Sequence, residues 1–305
     1  MAINKPWVEQ YRPACIKDVI FTNAQMERDF KSFVKNGEIP NLLLYGPPGT
    51  GKTSVSKALC ADLGIDKLDV LRINCSDEKI DALRDKVHNF AMSMPLNGRF
   101  KVVQLEEFDF IGINAFALLR SLIEDSAGTR FIATCNYINK IPPALRSRFQ
   151  EYCFSAPNIE ECMVKAASIL EDRGITFELD DLESVVSAGY PDMRKIIQLV
   201  QQFSTSGSLV ITKTDSASDW KLGLIDCLNA SDFRAARKLV CESASNEELQ
   251  DVYRFLYDNL HKCKKLKQQD EATVLIAQYQ YQHAFVADGE INIAALFIEL
   301  SQLMQ

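Results

Sequence analysis

The feature that most constrains this chain is Gly46-Pro47-Pro48-Gly49-Thr50-Gly51-Lys52-Thr53, which matches the G-x-x-x-x-G-K-[ST] phosphate loop at every fixed position. Asn41-Leu42-Leu43-Leu44-Tyr45 before it reads as a buried strand, and Ser54-Val55-Ser56-Lys57-Ala58-Leu59 after it opens a helix. That strand–loop–helix context is what the motif needs. A glycine-rich turn lets backbone N–H groups converge on phosphate oxygens, and the helix N-terminus adds partial positive charge. Lys52 is expected to reach the β- and γ-phosphates and the Thr53 hydroxyl to bind Mg²⁺. An ordinary glycine turn does not call for the lysine and threonine, so nucleoside triphosphate binding is expected.

Around this loop, strand and helix signals alternate. The expected strands are Asp69–Asn74, Phe100–Leu105, Thr129–Thr134 and Tyr152–Phe154, with helices near Asn23–Lys35, from Glu78 to about Met92 and over Ile113–Glu124. Such alternation implies right-handed crossovers and a parallel sheet covered by helices on both faces. From Pro157 the strand signals stop. Asn158-Ile159-Glu160-Glu161 and Asp180-Asp181-Leu182-Glu183 read as helix N-caps followed by glutamate, and Pro191-Asp192-Met193 opens a third helix ending near Phe203. Ser204–Ser208 reads as a linker, Leu209–Thr212 as a short extended piece, and residues 216–305 as all-helical, with apolar residues at three- and four-residue spacing.

The 305 residues are enough for two or three domains. No apolar run follows Met1, so no signal peptide is expected, and no stretch reaches bilayer-spanning length. The nine cysteines lack C-x-x-C pairs, which suggests buried thiols in a reducing compartment. With a net charge of −7, a nucleic-acid role needs a local basic surface and help from other subunits.

Several side chains beyond the loop carry candidate chemistry. Strand Val102–Leu105 runs into Glu106-Glu107-Phe108-Asp109. Glu106 is placed to hold Mg²⁺ through its water shell, and Glu107 to polarise the attacking water as general base. A solvated helix start is the plain alternative. Asn136, after the next strand, either bonds the γ-phosphate or orients the water, with a plain turn as the alternative. Arg148 either pairs with a nearby carboxylate or acts as an arginine finger on a neighbouring subunit, being too distant to reach its own Lys52. Arg194 either reaches back to the phosphates or lies on a solvated helix face. Tyr11-Arg12-Pro13 is either a turn with an aromatic anchor or, better, part of the adenine-pocket lining.

Together these motifs resemble the AAA+ ATPases, and within them the clamp loaders. Glu9-Gln10-Tyr11-Arg12-Pro13 looks like the clamp-loader N-terminal box, Gly46–Thr53 the Walker A loop and Leu105–Asp109 the Walker B strand. Asn136 matches sensor 1, Ser147-Arg148 the serine–arginine finger motif, and Pro191-Asp192-Met193-Arg194 the sensor 2 helix. Gly223–Asp226, Leu228–Asp232 and Ala295–Leu300 look like the large subunit of the T-even-type bacteriophage clamp loader. Two departures stand out. Glu106 replaces the Walker B aspartate and is one methylene longer, and Phe149 stands where many clamp loaders have cysteine.

The resemblance implies a RecA-like P-loop domain over residues 1–155, a small helical lid over 156–206 and an all-α collar over 207–305. It implies ATP with Mg²⁺, and an assembly of four copies with one small clamp-loader subunit. The implied partners are a sliding clamp and primer–template DNA, in a cytoplasm (a host's, if phage-encoded), with no membrane. Lys79, Arg84 and Arg120 match family positions that face DNA or couple it to the catalytic glutamate. The alternatives are a subunit of the same assembly that binds ATP structurally with little hydrolysis, and another AAA+ DNA motor such as a branch-migration helicase.

Overall fold

The computed structural model of the chain describes residues 5–76, 80–96, 99–204, 207–210, 220–244, 249–263, 268–283 and 285–304. It divides into two compact units, Met1–Gly174 with Gly189–Gln202, and Ile175–Ala188 with Phe203–Gln305.

The first unit is built on five parallel strands: β1 (Leu42–Tyr45), β2 (Val70–Asn74), β3 (Lys101–Glu106), β4 (Thr129–Cys135) and β5 (Gln150–Cys153). Their order is β2-β3-β4-β1-β5. Successive residues of each strand enter opposite cores. Leu43, Val103, Leu105, Phe131 and Ala133 pack with Phe108, Phe116 and Leu119 on one face. Leu42, Leu44, Val102 and Ile132 pack with Phe30, Val55, Leu59 and Phe154 on the other. Burial on both faces explains why these strands read as continuous apolar runs, and the expected helix-covered parallel sheet is the one found.

α2 (Ala24–Asn36) precedes the first strand, and the crossovers between strands include α3 (Lys52–Asp62), α4 (Ile80–Met92) and α5 (Ile113–Asp125). Asn23 caps α2 by accepting from Gln25 and Met26 N–H groups. The expected start of α4 at Glu78 lies outside the described residues. Because all strands run the same way, β1 and β4 end in register at Tyr45 and Cys135, and β2 and β3 at Asn74 and Glu106. The segments after β1, β3 and β4 therefore leave the sheet along one edge, where ligands bind in open α/β sheets.

Two further helices, α7 (Ile159–Asp172) and α9 (Met193–Phe203), belong to this unit, as do the short α1 (Trp7–Gln10) and α6 (Pro143–Arg146). Asn158 caps α7 by accepting the Glu160 N–H at 2.9 Å, as expected. Two expected helix starts are corrected. α8 spans Leu179–Gly189, so Asp180 lies in its first turn rather than at its cap. Pro191 precedes α9, whose first turn is capped by Asp192, accepting from Arg194 and Lys195 N–H groups at 2.8 and 3.4 Å. Aspartate offers a carboxylate to orphan N–H groups, which proline cannot do.

The second unit is helical in its described residues beyond 219, with helices Trp220–Asn229, Phe233–Ser243, Leu249–Asn259, Gln269–His283 and Gly289–Leu303. Their core centres on Trp220, Tyr253 and Phe297. Buried Asn292 pins it by donating to the Tyr253 hydroxyl at 2.8 Å and to Tyr279 O at 2.9 Å. Of the expected extended piece, Leu209 donates its N–H to Thr176 O at 2.8 Å. Ile211 and Thr212 lie outside the described residues. Among the described residues no helix is long and apolar enough to cross a membrane.

Candidate nucleotide site

The loop between β1 and α3 closes on its own lysine. Lys52 Nζ donates to Gly46 O at 2.7 Å and Pro47 O at 2.6 Å, and the Thr50 hydroxyl donates to Pro47 O at 2.9 Å. Burial lowers the pKa of the Lys52 ammonium to about 8; Arg194 adds to the fall, and Asp109 and Asp192 oppose it. Gly49 has φ 75°, and a Cβ there would lie 2.0 Å from the Asp192 carboxylate. The positive φ and the close approach of the Asp192 side chain together favour glycine here.

A cavity of about 320 Å³ opens beside the loop. Its floor is Pro48, Gly49, Thr50, Gly51, Lys52, Thr53 and Ser54. Glu106, Glu107, Thr134, Cys135 and Asn136 bound it along the strand ends, and Met193, Arg194 and Ile197 of α9 cover it. Tyr11, Arg12 and Pro13, with Val8, Val19 and Ile20, form a largely apolar wall. Residues from five separate stretches of chain thus meet in one place. Gly46 and Pro47 contribute carbonyls to Lys52 rather than lining surface.

The sequence reading missed Val8, Val19, Ile20, Met193 and Ile197, because an apolar residue beside a ligand looks like one in a core. One signal was present. Met193 and Ile197 stand four apart and Arg194 three before Ile197, spacings that bring each to the side of Ile197.

Cavity chemistry fits a triphosphate with a hard divalent cation. At Gly51 (φ 91°) nothing lies within 4 Å of an added Cβ, so the cradle is open where phosphate is expected. The Lys52 ammonium suits phosphate oxygens, and the Thr53 hydroxyl with the Glu106 and Glu107 carboxylates offers oxygens that suit Mg²⁺ and its waters.

The strand-end acids are held unequally. Glu106 Oε1 lies 3.9 Å from Lys57 Nζ, one turn into α3. Glu107 adopts φ 55°, ψ 45°, a left-handed conformation that is unusual for a residue other than glycine and is enriched at working sites. Below it Asp109 is 5% exposed, and its Oδ2 accepts the Tyr137 N–H at 3.1 Å, tying the segment after β3 to the one after β4. Its Oδ1 has no hydrogen-bond partner among the described residues. Gln104, inside β3, was also overlooked. Its amide donates to Ser56 Oγ at 2.8 Å and to Ser56 O at 3.1 Å, while its carbonyl accepts from Arg72 Nε at 2.9 Å. That bond set fixes α3 against the acidic strand.

Arg148 does not line this cavity. Its Nε donates to Glu124 Oε1 of α5 at 2.9 Å, and the guanidinium also bonds Ser147 Oγ at 2.6 Å and Ala144 O at 3.1 Å. Glu124 is shared with Arg120, whose Nε lies 3.3 Å away, and the two arginines hold its carboxyl below the usual range. The carboxylate-pairing alternative for Arg148 is therefore realised within this chain. Arg84 is exposed on α4, and Lys79 lies outside the described residues.

Residues 42–156 match the model of the ATPase family associated with various cellular activities (AAA). The replication factor C small subunit of Aeropyrum pernix is 33% identical over 316 residues, covering 97% of this chain and 96% of that protein. The small subunit of Methanocella arvoryzae is 36% identical over 67% of this chain and 65% of its own length. Human replication factor C subunit 5 is 34% identical over 69% of this chain and 64% of its own. Among solved structures, the Thermotoga maritima RuvB Holliday junction branch migration motor superposes with a TM-score of 0.57 at 17% identity, covering 82% of this chain and 80% of that one. At that identity the likeness concerns the fold alone. The near full-length match in sequence and the AAA match over the sheet and its loop decide the family: this chain is an ATP hydrolase and belongs to the replication factor C small-subunit family of AAA ATPases.

Proposed function

We propose that the chain is the ATPase subunit of a loader that opens a sliding clamp, grips primer–template DNA and releases the closed clamp on DNA. The observation that carries this reading is an incomplete cavity. Lys52, Thr53, Glu106, Glu107, Asn136 and Arg194 meet there, while Arg148 stands outside. A subunit that needs a neighbour's arginine hydrolyses ATP slowly by itself and fast only when an assembly is correctly formed, which suits a loader better than a free-standing hydrolase. On this reading the assembly holds four copies with one small clamp-loader subunit, like the T-even phage type. The lid spans 156–206, the collar 207–305, and the complex works in the cytoplasm, the host's if phage-encoded. Arg84, Arg120 and Lys79 are proposed to serve DNA.

ATP is the substrate. Lys52 neutralises the β- and γ-phosphates, and the apolar wall around Tyr11 takes the base. Thr53 and Glu106 would hold Mg²⁺, which supplies charge neutralisation for the departing ADP. Glu107 accepts a proton from the attacking water as its oxygen bonds to the γ-phosphorus, while the bridging P–O bond breaks and its electron pair leaves with ADP. Asn136 orients that water. Arg148 of an adjacent copy, released from Glu124, meets the transferring phosphoryl group.

Steady-state hydrolysis, measured alone and with small subunit, clamp and primed DNA, tests the assignment. Strong stimulation that disappears in both Glu107→Gln and Arg148→Ala is expected, with ATP binding kept. Tight ATP binding without stimulated turnover would overturn it in favour of a structural nucleotide.

A further inference from the structure

The wall of the base pocket is held by residues that lie outside the motifs identified above. Tyr11 lines the cavity, and its hydroxyl donates to Asp172 Oδ2 at 2.6 Å while accepting from Arg173 Nε at 2.8 Å. Both hydrogen-bonding roles of that hydroxyl are thereby used. The Arg173 guanidinium lies over two rings, 4.9 Å from the centroid of Trp7 and 5.4 Å from that of Tyr11, and it also bonds the Gln10 side chain. Trp7 packs edge-on to Tyr11 at 6.3 Å, and its backbone N–H donates to Gln201 Oε1 of α9 at 3.1 Å. The four-residue helix α1 buries none of its residues, so its own packing cannot fix where Tyr11 stands.

We propose that Arg173, with Asp172, is a positioning residue for the nucleotide: the end of α7 sets the Tyr11 wall of the base pocket. Planarity is central to this. The planar fork of a guanidinium can lie close to both rings and donate to the Tyr11 hydroxyl and Gln10 at once, whereas a lysine ammonium is a single point charge. Loss of Arg173 leaves the phosphate loop, Glu106, Glu107 and Asn136 untouched, so the deficit falls on binding and not on the chemical step. The inference rests on the ATP-site reading above.

The test uses the full chain in hydrolysis assays with ATP varied, and follows tryptophan emission as ATP is added. Only Trp7 and Trp220 contribute emission, and Trp220 is buried in the second unit. Arg173→Ala is expected to raise KM about tenfold with kcat at saturation within about twofold, the pattern of lost uniform binding. Arg173→Lys recovers less than half of that loss. The emission change on ATP addition should disappear in Trp7→Phe and be lost or strongly reduced in Arg173→Ala. An unchanged KM in Arg173→Ala, full rescue by lysine, or a fall in kcat alone would overturn the proposal. An unfolded alanine variant would be recognised by its thermal melt, and Asp172→Asn, expected to raise KM in the same direction, then decides. If the wild type itself shows no saturable ATP dependence, the ATP-site reading has failed rather than the role of Arg173.

Discussion

Lys52 must be charged to meet a triphosphate, yet burial works against that charge and lowers its pKa to about 8. At pH 7 about nine-tenths of the free protein still carries the ammonium. As pH rises through 8 the proton is lost, because the pKa in the fold lies below the ordinary value for lysine. A bound polyanion favours the charged form and moves the pKa back up. The two effects separate in kinetics: kcat/KM for ATP should fall above about pH 8, approaching tenfold per unit, while kcat holds to higher pH. A pH series of hydrolysis by the free chain measures both limbs, and a flat kcat/KM from pH 7 to about 9.5 would show that Lys52 is not the titrating group. Lys52 was legible in the sequence because its partners, Gly46 and Pro47, lie within six residues. Asp109 was quoted only as part of a motif, since nothing local reveals that its carboxylate is buried against the Tyr137 N–H 28 residues on.

At the scale of elements, the phosphate loop and α9 are fitted to one another. Asp192 caps α9 and presses its carboxylate against Gly49, so the loop that holds phosphate also fixes the helix that carries Arg194. Alanine at position 49 meets two obstacles. The φ of 75° costs a side-chain-bearing residue about 1–2 kcal/mol, and a Cβ 2.0 Å from the carboxylate forces the Asp192 side chain to turn away from the N–H groups it caps. Gly49→Ala should therefore lower stability by roughly 2–4 kcal/mol and weaken ATP binding at least tenfold. Adding Asp192→Ser should relieve the steric share but not the backbone share. Thermal melts and ATP titration of both variants check this, and a wild-type melt for Gly49→Ala would refute the close approach. The strands and most helix centres could be read from the sequence because period and apolar run length are local properties. The starts of α8 and α9 were misplaced because several acids and a proline all suit a helix entrance, and tertiary contact selects among them.

For the whole molecule, charge constrains what this subunit does alone. The chain carries a net charge of −7, and DNA binding draws most of its affinity from displaced counterions around phosphates. Of the three basic residues assigned to DNA, Arg120 already shares Glu124 with Arg148, and Arg84 stands exposed on a different helix. At these assigned positions one copy therefore offers little free charge to a duplex, and several copies around one axis would multiply it. The isolated chain at about 0.15 M salt should show little affinity for primed DNA. The full assembly with ATP and clamp should bind it well and lose affinity steeply as salt rises. Fluorescence anisotropy of labelled primer–template against salt, with each component omitted in turn, gives the comparison. Arg84→Ala should flatten the salt slope of the assembly while leaving basal ATP hydrolysis within about twofold, since it repeats in every copy and lies outside the cavity. Tight, salt-sensitive binding by the lone chain would instead mean that one copy already presents a sufficient basic surface, and that the assembly is not what gathers charge for DNA.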